Sequence, residues 1–259
     1  MGNEVEKFPI VRFEGGKRAD IVDEVVRESF LTVFLNDQEL VTLLCTPDSL
    51  KCLAVGFLFS EGLLKDLADI KKIIVDDQRG VVWVETNEVV DSLTRLTFKR
   101  VITSGCGRGT GFYNVADFKI RKVTSPIRVT SEEILDLMFA MQDRSRLYRD
   151  TGGVHSAALC NRQEILLFNE DIGRHNAVDK ILGEAILQGI PTGDKMLLTS
   201  GRISSEILLK AARRGIPVIV SRAAPTDAAV RLAIELGITL IGFARGKKMN
   251  VYTNTPRVE

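Results

Sequence analysis

No apolar run in the sequence approaches the ~18 residues that a membrane-crossing helix needs, so no span is expected. Charge of either sign is not in excess: 35 Lys and Arg against 34 Asp and Glu leave a formal net charge of +1. A general nucleic-acid binder carries a marked basic surplus, so this balance argues against one, though not against a local anion site. Cysteine is scarce and scattered, at Cys45, Cys52, Cys106 and Cys160. That is the pattern of a reducing compartment, not of a disulfide framework. No C-x-x-C pair occurs, and no histidine–cysteine spacing suits structural zinc, so no metal is expected. Neither the G-x-x-x-x-G-K-[ST] phosphate loop nor the G-x-G-x-x-G fingerprint is present. The zinc-deaminase signature, H-x-E with P-C-x-x-C, fails because Ser156-Ala157 follow His155. Residues Met1 to Lys7 are charged and lead into no signal-like apolar block. The expected location is cytoplasmic.

What is present suffices for a sizeable core, since 45% of residues are hydrophobic. Residues 8–14 read as a short edge strand. Residues 29–35 and 39–44 flank Asn36-Asp37-Gln38 as a hairpin, and 70–75 with 81–85 form another, with Trp83 expected in the core. Thr46-Pro47 predicts a helix start, as N-cap and first helical residue. Thr130-Ser-Glu-Glu133 is a capping box opening a helix to about Leu147, with an apolar face of Ile134, Leu135, Met138 and Met141. Beyond residue 150 the pattern alternates: strands at 154–159, 164–168, 196–199, 218–221 and 239–243, and helices at 176–187, 204–213 and 226–236. Such alternation implies a sheet of parallel character with helices packed on it. The expected class is α/β (α+β overall), with a smaller α+β part over residues 1–125 and an α/β part over 126–259.

The chemistry concentrates in a few stretches. Val101 to Phe112 sets Cys106 among Gly105, Gly107, Gly109 and Gly111, with Arg108 two residues on. Glycine at this density excludes a regular helix or strand and reads as a pliant loop. Arg108 and Lys99-Arg100 are candidate cations for lowering the thiol pKa and making a nucleophile; an inert surface cysteine is the other reading. His155 follows Gly152-Gly153 at a strand start, as a general base, as a hydrogen-bond donor to a phosphate or heterocycle, or as a satisfied buried histidine. Glu170-Asp171-Ile-Gly173-Arg174-His175 opens a helix where N–H groups would cradle an anion, with Asp179 placed to orient His175 one turn later. Gly201-Arg202 and Ser221-Arg222 repeat that strand-to-helix logic, and Arg245-Gly246-Lys247-Lys248 adds cations after the last core strand. Ligands bind at the carboxyl ends of strands in open α/β sheets, where these junctions converge if the strands are parallel.

Taken together, T-G-G-V-H-S-A-A, E-D-I-G-R-H-N-A-V-D-K, T-S-G-R-I-S-S-E, S-R-A-A-P-T, G-F-A-R-G-K-K-M-N-V-Y-T and the upstream G-F-L-F-S-E-G resemble the formate dehydrogenase accessory sulfurtransferase (FdhD-type) family. The resemblance implies a sulfurtransferase that passes persulfide sulfur from a cysteine desulfurase to the molybdenum (or tungsten) bis-molybdopterin guanine dinucleotide cofactor of formate dehydrogenase. It implies a cytidine deaminase-like C-terminal domain without the zinc site, and a homodimer. Cys106 takes the position of the persulfide-forming cysteine. Phe243, Ala244, Arg245, Gly246, Lys247 and Lys248 match the segment associated with the cofactor; His155, Arg174, His175, Gly201, Arg202 and Arg222 are the further candidates. Gly109 stands where the family often has a second cysteine, which removes a local disulfide but not a persulfide on one thiol. A non-catalytic cofactor chaperone and a cysteine hydrolase are the competing functions.

Overall fold

A computed structural model describes residues 4–87, 100–102, 110–112 and 121–259. The chain opens with an antiparallel ribbon, β1 (Val5–Glu14) and β2 (Lys17–Val26). Gly15 and Gly16 join them, both at positive φ, as a tight hairpin turn requires. The sequence pattern finds only part of β1. It misses β2, whose Lys17, Arg18, Asp20, Asp23 and Glu24 interrupt any apolar alternation.

The two expected hairpins form. β3 (Ser29–Leu35) pairs with β4 (Gln38–Cys45), and β5 (Ile70–Asp76) with β6 (Val81–Thr86). The four strands make one sheet in the order β4-β3-β6-β5, β3 and β6 running parallel. Leu31, Val33, Leu35, Val82 and Val84 face its core. Trp83 does not: strict alternation puts it on the outer face, half-buried and stacked on Phe34 at 5.8 Å. The inner face carries α1 (Leu50–Ser60). This helix starts at an N-cap of Ser49, not at Thr46. Thr46 is committed elsewhere, its N and Oγ1 donating to Asp171 Oδ2 at 3.1 and 3.0 Å. Short strands β7 (Arg100–Ile102) and β8 (Thr110–Phe112) pair antiparallel; Cys106 and Gly109 between them lie outside the described residues.

In the second half, Thr130 caps α2 (Ser131–Arg144) through the expected capping box. Ile134, Met138 and Met141 are buried with Leu137, while Leu135 is half-buried. The helix ends at Ser145, whose Oγ donates to Met141 O, and a separate α3 (Arg146–Thr151) follows. A six-stranded sheet runs β10-β9-β11-β12-β13-β14, from β9 (His155–Cys160), β10 (Ile165–Asp171), β11 (Met196–Thr199), β12 (Val218–Ser221), β13 (Thr239–Arg245) and β14 (Lys248–Val251). Parallel pairing is confined to β11, β12 and β13. β9, β10 and β14 pair antiparallel with their neighbours, because short hairpins rather than helices connect β9 to β10 and β13 to β14. α4 (Arg174–Leu187), α5 (Ser205–Arg213) and α6 (Asp227–Leu236) cover one face, and α2 the other. Among the described residues no helix is long and apolar enough to cross a membrane.

The two sheets meet through α1 and α4, which touch backbone to backbone. A Cβ on Gly183 would lie 1.9 Å from Cys52 O, and one on Gly56 the same distance from Asp179 O. Neither helix can withdraw, since each is fixed to its own sheet. Gly183→Ala is therefore expected to cost roughly 3 kcal/mol or more in a urea titration. Gly193→Ala, where an added Cβ meets nothing within 4 Å, should change stability by no more than about 0.5 kcal/mol.

Candidate functional site

The carboxyl ends of β11, β12 and β13, the start of β9 and the end of β10 share one edge of the large sheet. A cleft of about 620 Å³ opens there, beneath α2 and α3. Its walls bring together His155, Ser200, Arg222 and Arg245 with Tyr148 and the Gly152-Gly153 pair.

His155 is held by Ser200. The Ser200 Oγ accepts from Ser156 N at 3.0 Å and lies 3.3 Å from His155 Nδ1. Burial pushes the His155 pKa below its ordinary value, and the charges of Arg174 and His175 push it further the same way, against Asp171. The imidazole is thus neutral at neutral pH and offers one donor and one acceptor. Gly201 makes the close packing possible: a Cβ there would sit 2.8 Å from Arg174 Cβ and 3.5 Å from His155 Nδ1.

His175 does not pair with Asp179. Its Nε2 lies 3.0 Å from Glu206 Oε2. Burial pushes the Glu206 pKa up, but the hydrogen bond and charge of His175 outweigh it and hold the carboxyl low. Asp179 is turned into the junction of α1 and α5, accepting from Ser60 Oγ at 2.6 Å and from Lys210 Nζ at 2.5 Å.

Arg222 is half-buried on the cleft wall, and its Nε is buried with no hydrogen-bond partner among the described residues. An unpaired buried donor is costly, so the cleft is poised for an acceptor. Arg245 lies across the Phe243 ring, 5.8 Å from its centroid. Phe243 has φ +55 at a bulge in β13, where the register shifts between Gly242 and Arg245. Bulges of this kind re-aim side chains beside sites. The segment that the sequence places after the last strand is therefore partly strand. Ala244 is fully buried in the core, Gly246 and Lys247 form the exposed turn, and Lys248 starts β14. Arg202 is exposed outside the cleft lining.

Sequence reasoning missed the α3 wall. Glu170 Oε2 and Oε1 accept from Leu147 N and Tyr148 N, both at 3.0 Å, which starts a new helix after Ser145. Burial pushes Glu170 up, against those two bonds. The available signal was Glu170 itself, a second carboxylate beside Asp171 at the end of a strand. Of the four cysteines, Cys45 and Cys160 are fully buried, and burial pushes both thiols up to about 12. Cys52 is half-buried and raised by the same cause. Cys106 lies outside the described residues.

Comparisons with known proteins agree over most of the chain. Residues 26–259 match the family model described as the FdhD/NarQ family. The chain is 45% identical over 248 residues to the sulfur carrier protein FdhD of Bacillus subtilis, covering 95% of each. It is 43% identical over 257 residues to the protein of that name in Listeria innocua, covering 98% of each. Among solved structures it is similar to a protein from Desulfotalea psychrophila described as a formate dehydrogenase accessory protein. That likeness has a TM-score of 0.80 at 26% identity and covers 99% of this chain and all of the other.

The His155 environment predicts a pH dependence. The unfolded chain protonates this histidine near ~6.5, whereas the folded protein resists it. The stabilisation is complete above ~6.5, is lost as pH falls from there towards the lower folded value, and levels off beneath it. His155→Gln should remove that part of the slope, read as the difference between wild-type and variant urea midpoints from about pH 8 to about pH 5.

Proposed function

The chain belongs to the FdhD/NarQ family, and on that premise we propose that it is a sulfur carrier that delivers persulfide sulfur to the nucleotide-bearing metal cofactor of formate dehydrogenase. A cysteine desulfurase is the donor and formate dehydrogenase the client, in the reducing cytoplasm, with a second copy of the chain as partner. One observation carries the reading. Three of the four thiols are buried or half-buried with raised pKa values, which makes them poor nucleophiles at neutral pH. The family match runs through the fourth, Cys106.

The Cys106 thiolate attacks the outer sulfur of the donor's persulfide. The donor's S–S bond breaks, a new S–S bond forms on Cys106, and the donor cysteine leaves as thiolate. The glycine-rich sequence around Cys106 suits one thiol that must serve donor and client in turn. The cleft at the sheet edge takes the cargo. Its volume of about 620 Å³ lies within the range of small-ligand sites and suits one guanine-nucleotide arm rather than the whole bis-dinucleotide. Arg222 and Arg245 neutralise pyrophosphate charge, and Phe243 with its overlying guanidinium offers a flat platform for a base. Neutral His155 hydrogen-bonds the ligand. Arg174, His175 and Gly201 support this wall from behind. Lys247, Lys248 and Arg202, exposed outside the lining, add longer-range attraction for an anion. The β9–β10 hairpin beside three parallel strands supports reading residues 126–259 as a cytidine deaminase-like fold whose zinc site has been lost.

Incubation with a cysteine desulfurase and cysteine should add one sulfur to the Cys106 peptide, seen by mass spectrometry, and none to the peptides of Cys45, Cys52 or Cys160. Cys106→Ala should lose the addition and keep the wild-type melting curve; sulfur loading of that variant would refute the relay. Arg222→Ala should weaken GDP binding by about tenfold in calorimetry, the loss expected for one charge-assisted hydrogen bond.

A further inference from the structure

Ser156, Ser200 and His155 form a short hydrogen-bond chain whose direction follows from its two ends. Ser156 N donates to Ser200 Oγ at 3.0 Å. Ser200 N donates to Ser156 O at 2.9 Å, which fixes the Ser200 backbone against the start of β9. The same Oγ lies 3.3 Å from His155 Nδ1. Gly201 closes that side of the ring, since a Cβ there would stand 3.5 Å from Nδ1. The other ring nitrogen, Nε2, makes no hydrogen bond among the described residues.

A hydroxyl gives one proton and accepts at two lone pairs, and a neutral imidazole has one N–H and one bare nitrogen. The Ser156 N–H can only donate, so it takes one lone pair of Ser200 Oγ. The hydroxyl proton then has one acceptor among the described residues, the bare Nδ1. The reverse arrangement puts the imidazole proton on Nδ1. It loads two donors onto one oxygen and leaves the Ser200 O–H with no protein acceptor. Only the first direction satisfies all three groups from within the chain. Burial keeps the ring neutral at neutral pH, so the place of its single proton decides what it offers.

We propose that Ser200 is a positioning residue that holds the His155 proton on Nε2, so that the ring presents one N–H donor to the cleft and the cargo meets it with an oxygen. The rest of the cleft matches that polarity. Arg222 Nε is buried with no hydrogen-bond partner among the described residues, Arg245 shares the lining, and no Asp or Glu does among the described residues. Donors on the walls without a carboxylate select an oxyanion or carbonyl oxygen, and disfavour a ligand edge that only donates. The ligand's oxygen is inferred from the reading of the cleft as the cargo site. The place of the proton is not, since it follows from Ser156 and Ser200 alone.

The chain has two histidines, so proton–nitrogen correlation NMR of the full protein at about pH 8, where imidazole is neutral, resolves both rings. His155→Gln identifies the His155 signals by their loss. In the wild type His155 should carry its proton on Nε2. Ser200→Ala should move the ring towards a mixture of both tautomers with unchanged far-UV circular dichroism, and Ser200→Thr, which keeps the hydroxyl, should hold the wild-type pattern. Pyrophosphate, the probe for the cargo's oxygens, should shift the Nε2 resonance and bind about threefold more weakly to Ser200→Ala. A wild-type ring protonated on Nδ1 overturns the proposal. So does a Ser200→Ala ring indistinguishable from the wild type. A wild type whose Nε2 proton is set by Ser200 but does not respond to pyrophosphate upholds the role of Ser200 and overturns the reading of the cleft as the cargo site.

Discussion

Everything in this molecule depends on the crossing of α1 and α4, where Gly56 and Gly183 leave backbone against backbone. Two buried ion pairs flank it. On one side Lys180 Nζ lies 2.8 Å from Asp171 Oδ2, both fully buried, with Thr46 Oγ1 accepting from Lys180 at 2.7 Å. On the other, Lys210 and Ser60 converge on Asp179. Such pairs contribute little net stability over an apolar replacement, but removal of one partner costs about 3–5 kcal/mol. Their effect is therefore selective. The small sheet and the large sheet can dock in one relative position, the one that satisfies both carboxylates at once.

That docking reaches the cleft through Asp171. Its Oδ2 holds Thr46 and Lys180, while its Oδ1 accepts from Gly173 N at 2.8 Å and Asn176 Nδ2 at 2.9 Å. One carboxylate thus ties the lead-in of α1 to the turn that begins α4. The turn in turn sets Arg174 against Gly201 and brings His175 to Glu206. The positive charge around His155 is consequently a product of the contact between the two sheets. Burial first, and that charge after it, keep the imidazole neutral, so the histidine serves as a hydrogen-bond partner and the arginines supply the charge.

The legible parts of the fold were those specified locally. The capping box at Thr130 and the two hairpins of the small sheet carry their signals within a few residues, and all formed. Thr46 misled because a good N-cap residue is also a good ligand for a buried carboxylate 125 positions away. The break at Ser145 could not be read because the group that starts α3, Glu170, belongs to a later strand. β2 was hidden by its charges, which face solvent on a ribbon with no core to impose alternation. The site divides in the same way. Glycine and arginine at strand ends marked the edge of the sheet at which the cleft opens, whereas the wall built by Tyr148, Gly152 and Gly153 follows from contacts that no local pattern encodes.

A single short helix links the molecule's separate parts. α3 carries Tyr148 into the cleft wall, rests on β2 of the ribbon, and donates the backbone N–H groups of Leu147 and Tyr148 to the Glu170 carboxylate. Six residues cannot hold a helix by their own propensity. Its position is set from outside, by a carboxylate on the large sheet and by the ribbon that emerges beside it. Anything that seats the ribbon also steadies the cleft wall. Anything that fills the cleft presses on the same helix from the opposite side. The ribbon and the cleft are thus joined through α3 by contact, because the two share one wall.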